Sequence, residues 1–105
     1  MPETQLPRQH YMMKVDLAVE IASMAGIEDY DPSRAKKSGP ACFTRKERCH
    51  LYEVLTGKSG EGLDRKELTP LIMQELGTEL YSVYPYEFTR EDLKVIHKVL
   101  SERHS

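Results

Sequence analysis

The chain predicts an all-α fold: a small bundle of four principal helices, with room for one short extra helix within residues 32–38. Two observations carry this. Apolar residues recur at helical spacing in four separate stretches. Three of those stretches open on one shared pattern, read as apolar, cap, Arg, charged, acid. With 105 residues, 39% hydrophobic and 30% charged, the composition is that of one globular domain with a modest core. Residues 1–8, with Pro2 and Pro7, read as a flexible arm, and 9–105 as a single helical domain.

The first helix is expected from Gln9 to Ala25. Met13, Leu17, Ile21 and Met24 share one face, and Met12, Val15, Val19 and Ala22 widen it. Lys14, Asp16, Glu20 and Ser23 leave only a narrow wet stripe, so this helix crosses the core or meets another chain. Gly26 supplies a C-terminal cap. Residues 27–42 form a connector in which Asp31-Pro32 can start a helix and Ser38-Gly39-Pro40 must stop one.

The shared helix starts are Phe43-Thr44-Arg45-Lys46-Glu47, Leu63-Asp64-Arg65-Lys66-Glu67 and Phe88-Thr89-Arg90-Glu91-Asp92. In each, Thr or Asp can accept from an orphan backbone N–H, and the acid three residues on approaches the positive helix end. Thr44/Glu47 fits the strict capping box, and the other two are variants of it. The second helix should run from Arg45 to Thr56, turning either Cys49, Tyr52 and Leu55 or Leu51 and Val54 inward. The third starts near Arg65 and ends by Gly77, with Leu68, Leu71, Ile72 and Leu76 inward. Pro70 either kinks it or follows a cap at Thr69. The last spans Arg90 to Arg103, with Leu93, Ile96, Val99 and Leu100 inward.

Tyr81, Tyr84, Tyr86 and Phe88 cluster in one segment, where Pro85 restricts any strand to an edge. These rings either roof the core with hydroxyls at its rim or form an exposed patch for a partner.

A net charge of −2 argues against dominant nucleic-acid electrostatics, but the charge is unevenly placed. Residues 15–32 carry Asp16, Glu20, Glu28, Asp29 and Asp31 without a Lys or Arg. Residues 33–48 carry Arg34, Lys36, Lys37, Arg45, Lys46 and Arg48 against Glu47 alone. The strip is either a solvated face or a phosphate-binding surface.

No apolar run approaches the roughly 18 residues that span a membrane. The start, MPETQLPRQHYMMK, lacks the basic and apolar regions of a secretory signal, so a cytoplasmic location is expected. Cys42 and Cys49 lie about 10 Å apart along a continuous helix, too far for a disulfide unless the chain bends. With His50 they could be imagined as metal ligands, but no C-x-x-C or H-x-x-x-H pair fixes a geometry. Gly57-Lys58-Ser59 is no phosphate loop, because Tyr52 stands where the first glycine belongs and a helix precedes it. No nucleophile, base and oxyanion donor can be named together. The expectation is a non-enzyme without cofactor or metal.

The segment Thr56–Leu68, TGKSGEGLDRKEL, lies between two amphipathic runs and resembles a degenerate EF-hand, the resemblance covering residues 44–77. Aligned on a twelve-residue loop, Leu63 takes the hydrophobic eighth place, Asp64 the ninth and Glu67 the acidic twelfth. Thr56, Lys58 and Gly60 stand where that family places acidic or amide oxygens, and Glu61 replaces the turn glycine. The resemblance implies a helix–loop–helix that no longer holds calcium.

The sequence thus points to a protein–protein interaction or regulatory domain, binding a partner or itself. Its candidate contacts are Met12, Val15 and Val19 on the first helix and Tyr81, Tyr84 and Tyr86 in the aromatic segment. The alternative is a helix-turn-helix-like regulator that binds nucleic acid through Arg34, Lys36, Lys37, Arg45, Lys46 and Arg48.

Overall fold

Cap chemistry sets the helix boundaries in the computed structural model, which describes residues 12–36, 42–82 and 84–104. The helices are α1 (Lys14–Ala25), α2 (Ser33–Lys36), α3 (Arg45–Thr56), α4 (Arg65–Glu75) and α5 (Arg90–His104). All regular structure among the described residues is helical, as expected of an all-α domain. No described helix is long and apolar enough to cross a membrane.

At the start of α1, the Asp16 carboxylate accepts the Met13 N–H at 3.2 Å. Its end is a left-handed Gly26 (φ 77°), with the Ile27 N–H returning to the Ala22 carbonyl at 2.8 Å. Of the expected start, residues 9–11 lie outside the described residues, and Met12 and Met13, expected within the helix, precede it: Met13 is extended (φ −72°, ψ 161°) and occupies the cap position. Asp31 opens α2 by accepting both the Ser33 N–H and the Ser33 hydroxyl.

All three shared starts form reciprocal boxes, including the two read as variants. Glu47 and Thr44 exchange bonds of 3.1 and 2.8 Å. Asp64 and Glu67 exchange 3.0 and 3.2 Å, and Thr89 and Asp92 exchange 2.9 and 3.3 Å. Aspartate serves at either position because its short carboxylate reaches the same orphan N–H groups. Since Asp64 caps α4, the alternative cap at Thr69 is not used, and Pro70 sits inside the helix.

Packing pairs α1 with α5 and α3 with α4, while α1 also meets α2 and α3. On α1 the buried row is Leu17, Ala18, Ile21, Ala22 and Ala25. Met13, expected inward, is 67% exposed. Met13 stands before α1 in extended backbone, so it does not continue the helical row that Leu17 and Ile21 form. On α3 the inward set is Arg48, Leu51, Tyr52 and Leu55, which leaves Val54 exposed and Cys49 half-buried. On α4, Leu68, Thr69, Ile72 and Met73 are buried, while Leu71 and Leu76 are half-buried. Leu93, Ile96 and Leu100 of α5 complete the core, with Val99 at its margin.

The loop between α3 and α4 folds back on the helices it joins. Gly60 is buried, and a Cβ there would stand 3.0 Å from Leu68 and 3.3 Å from Tyr52. The Cys49 thiol donates to the Gly60 carbonyl at 3.3 Å. Thr56 bonds back to Tyr52, and Ser59 accepts the Glu61 N–H. Asp64 and Glu67 are occupied with capping.

Arg48, expected on a surface strip, is fully buried. Its Nε donates to the Phe43 carbonyl at 2.8 Å, and Nη1 donates to the Thr69 hydroxyl on α4. The guanidinium also lies 4.8 Å from the centroid of Phe88, just before α5. Phe88 in turn meets Phe43 edge-on at 6.3 Å. Burial pushes the Arg48 pKa down to about 10, which still leaves it charged at neutral pH. One side chain thereby joins three segments. Arg48→Ala should cost about 3–5 kcal/mol, because it leaves a cavity and an unsatisfied carbonyl and hydroxyl. Arg48→Met with Thr69→Val should recover part of that loss in urea melts, since it refills the space and removes the Thr69 hydroxyl together with the charge, leaving only the Phe43 carbonyl unmet.

Candidate interaction surface

The segment from Leu76 to Thr89 is held at several points, and this decides which of its rings face solvent. The Thr78 N–H and hydroxyl both return to the Met73 carbonyl. Near the other end stands Asp92, fully buried in the first turn of α5. Its Oδ1 accepts the Tyr81 N–H at 2.7 Å, and its Oδ2 accepts the Thr89 N–H and hydroxyl at 2.9 Å each. A buried carboxylate needs such donors to offset its lost hydration. Asp92 therefore fixes the backbone at both ends of the aromatic run. Inside the run, the Glu87 N–H returns to the Tyr84 carbonyl, and Ser82 Oγ accepts the Tyr84 N–H.

With the backbone tied in this way, the rings divide. Phe88 is completely buried, whereas Tyr81 is 60% and Tyr84 52% exposed. Tyr86 is half-buried and packs against Tyr84, with ring centroids 5.7 Å apart. Only Phe88 belongs to the core, so the tyrosines do not roof it as one layer. Tyr86 also lines a cavity of about 400 Å³ with Asp64, Arg65 and Lys66 at the start of α4. The sequence placed Arg65 and Lys66 at a helix start. Their position beside Tyr86 depends on a contact that no local pattern announces.

The first-helix contacts fare differently. Met12 is only 7% exposed, and its carbonyl accepts the Arg90 Nε at 2.8 Å. Val15 is half-buried against the core. Val19 remains outside at 39%. Met12 is corrected from a contact residue to a core residue, because the chain entering α1 is drawn against α5. The broad apolar face read from the sequence narrows to Met13 and Val19.

The basic strip does not form one surface among the described residues. Arg34 makes a bidentate pair with Glu47 at 2.8 and 2.7 Å and lies over the Tyr30 ring. Arg45 donates its Nε to the Leu63 carbonyl at 2.8 Å, and Arg48 is buried. Lys46 is exposed and lines a cavity of about 440 Å³ together with Glu28, Asp29, Glu47 and His50. Lys37 and the side chain of Lys36 lie outside the described residues. Arg48 in particular is corrected: a guanidinium with no exposed surface cannot touch a phosphate.

Two further clusters carry reactive groups. His97, almost fully buried, places Nε2 2.8 Å from Glu20 Oε1 across the α1–α5 seam and Nδ1 3.3 Å from the Ser101 hydroxyl one turn on in α5. Ser101 lies well inside α5, where neighbouring backbone N–H groups already serve the helix and cannot form an oxyanion hole. Cys42 and Cys49 are free thiols. Burial pushes the Cys42 pKa up, and Tyr30 donates its hydroxyl to the Cys42 carbonyl at 2.7 Å. A buried thiol so shifted is a poor nucleophile. No three His, Cys, Asp or Glu residues among those described converge to hold a metal ion.

Burial acts to raise the Glu47 pKa, but the Arg34 pair and the Thr44 N–H outweigh it and hold the carboxyl below its ordinary 4.5. A depressed carboxylate stabilises the fold above its unfolded pKa and loses that contribution as pH falls through the folded value. Melts of wild type and Glu47→Gln should therefore differ at pH 7 and converge as pH drops below 4.5. In neutral urea melts, Tyr81→Ser and Tyr84→Ser should each change stability by no more than about 0.5 kcal/mol. Phe88→Ala should cost about 3–5 kcal/mol.

Comparison with protein families, with curated proteins and with solved structures found no match.

Proposed function

We propose that this domain is a non-catalytic protein-interaction or regulatory module, and that Tyr81, Tyr84 and Tyr86 form its principal contact surface. The observation that supports this is the pair Tyr81 and Tyr84, both large, apolar in body and exposed, on a backbone pinned by buried Asp92. Tyrosine is favoured at interfaces because it buries a wide ring and still offers a hydroxyl. A backbone already ordered before binding also loses less entropy on association. Val19 on α1 and Met13 just before it are further exposed apolar side chains. Two reduced cysteines fit a cytoplasmic setting.

The nucleic-acid alternative is less well supported, because Arg34, Arg45 and Arg48 are engaged within the fold. The test is affinity capture from cell extract with wild type and a Tyr81→Ser/Tyr84→Ser double variant, with partners identified by mass spectrometry. Specific partners should be retained by wild type and lost by the double variant. Identical capture by both would reject the aromatic surface. Sedimentation at micromolar concentration separates a partner-binding monomer from a self-associating one.

A further inference from the structure

We propose that a groove on the outward face of α4 seats a short cationic amphipathic helix of a partner protein. This rests on the protein-interaction reading but uses a different surface. The core side of α4 is Leu68, Thr69, Ile72 and Met73, so residues 67, 70, 71 and 74 form its opposite row. On a helix that only fills a core, that row should be polar. Here Pro70 and Leu71 occupy it, and Leu63 before the helix and Leu80 after it flank it. Together they line an open groove of about 390 Å³, large enough for side chains of a partner. All four are half-buried, touching the protein on one side and open on the other.

Charge selects the occupant. Glu67 and Glu79 line the same groove, and no Lys or Arg does so among the described residues. Glu67 caps α4 through one carboxylate oxygen, and both it and Glu79 are exposed. An apolar floor with an acidic rim complements leucine-like side chains flanked by Lys or Arg. Because the groove runs along a helix, a second helix can lay a ridge of residues three and four apart into it.

The probe is a fluorescently labelled leucine–lysine amphipathic peptide of about four helical turns, added to the full chain and followed by anisotropy. Saturable binding is expected, weakened about tenfold by Glu79→Lys and by Leu71→Ser. Glu28→Lys makes the same change in net charge elsewhere and should leave binding intact, as should Tyr81→Ser/Tyr84→Ser. A leucine–glutamate version of the peptide should not bind.

The proposal is overturned if the lysine peptide does not saturate, if the glutamate peptide binds equally, or if Glu28→Lys weakens binding as much as Glu79→Lys. Loss through the tyrosine variant alone would also overturn the groove while leaving the aromatic surface standing. Full peptide binding beside failed tyrosine-dependent capture would do the reverse. Glu79 is exposed, so its variant tests the groove even if Leu71→Ser weakens the fold.

Discussion

The structure depends on a buried guanidinium. Arg48 follows the Thr44 cap by one turn, so the start of α3 fixes where its side chain begins. From there it reaches the Phe43 carbonyl, the Thr69 hydroxyl of α4 and the face of Phe88. A buried cation is costly unless its donors are satisfied, so these contacts must form together. The requirement sets the relative placement of α3, α4 and the chain entering α5. An apolar side chain of the same size could fill the space but would not demand that register.

Asp92 works similarly at the neighbouring helix start. It closes the cap of α5 and also receives the Tyr81 N–H from eleven residues earlier in the chain. Phe88, pinned beneath Arg48, and Asp92 therefore hold the two sides of one segment. What lies between cannot turn all its rings inward, because the backbone is already committed. The exposure of Tyr81 and Tyr84 follows from that constraint. It also explains how a loop without regular structure can present a defined surface.

The same economy disperses the charges that looked organised in the sequence. Arg34 is spent on Glu47, Arg45 on a carbonyl at the end of the α3–α4 loop, and Arg103 on the Val54 and Leu55 carbonyls at the end of α3. Guanidinium groups suit this work because they offer several donors in a fixed plane. Here they join segments that are distant in sequence. The acids at the start of α4 are likewise engaged locally, Asp64 and Glu67 each accepting the other's backbone N–H.

The sequence by itself determined the local structure. Thr44, Asp64 and Thr89 mark three helix starts, Gly26 marks an end, and Asp31-Pro32 marks the short α2, because caps act over three or four residues. Those signals made the all-α class and the boundaries of α3, α4 and α5 legible. Only the tertiary structure decided which faces and charges remain available. Met12 and Arg48 looked like surface residues and are buried, while Met13 looked like core and is exposed. Arg65 and Lys66 line one cavity with Tyr86, and Leu63 and Leu80 line another with Pro70 and Leu71, because packing brings separate segments side by side. Helical periodicity says which residues share a face, but only packing against other helices says which face is covered.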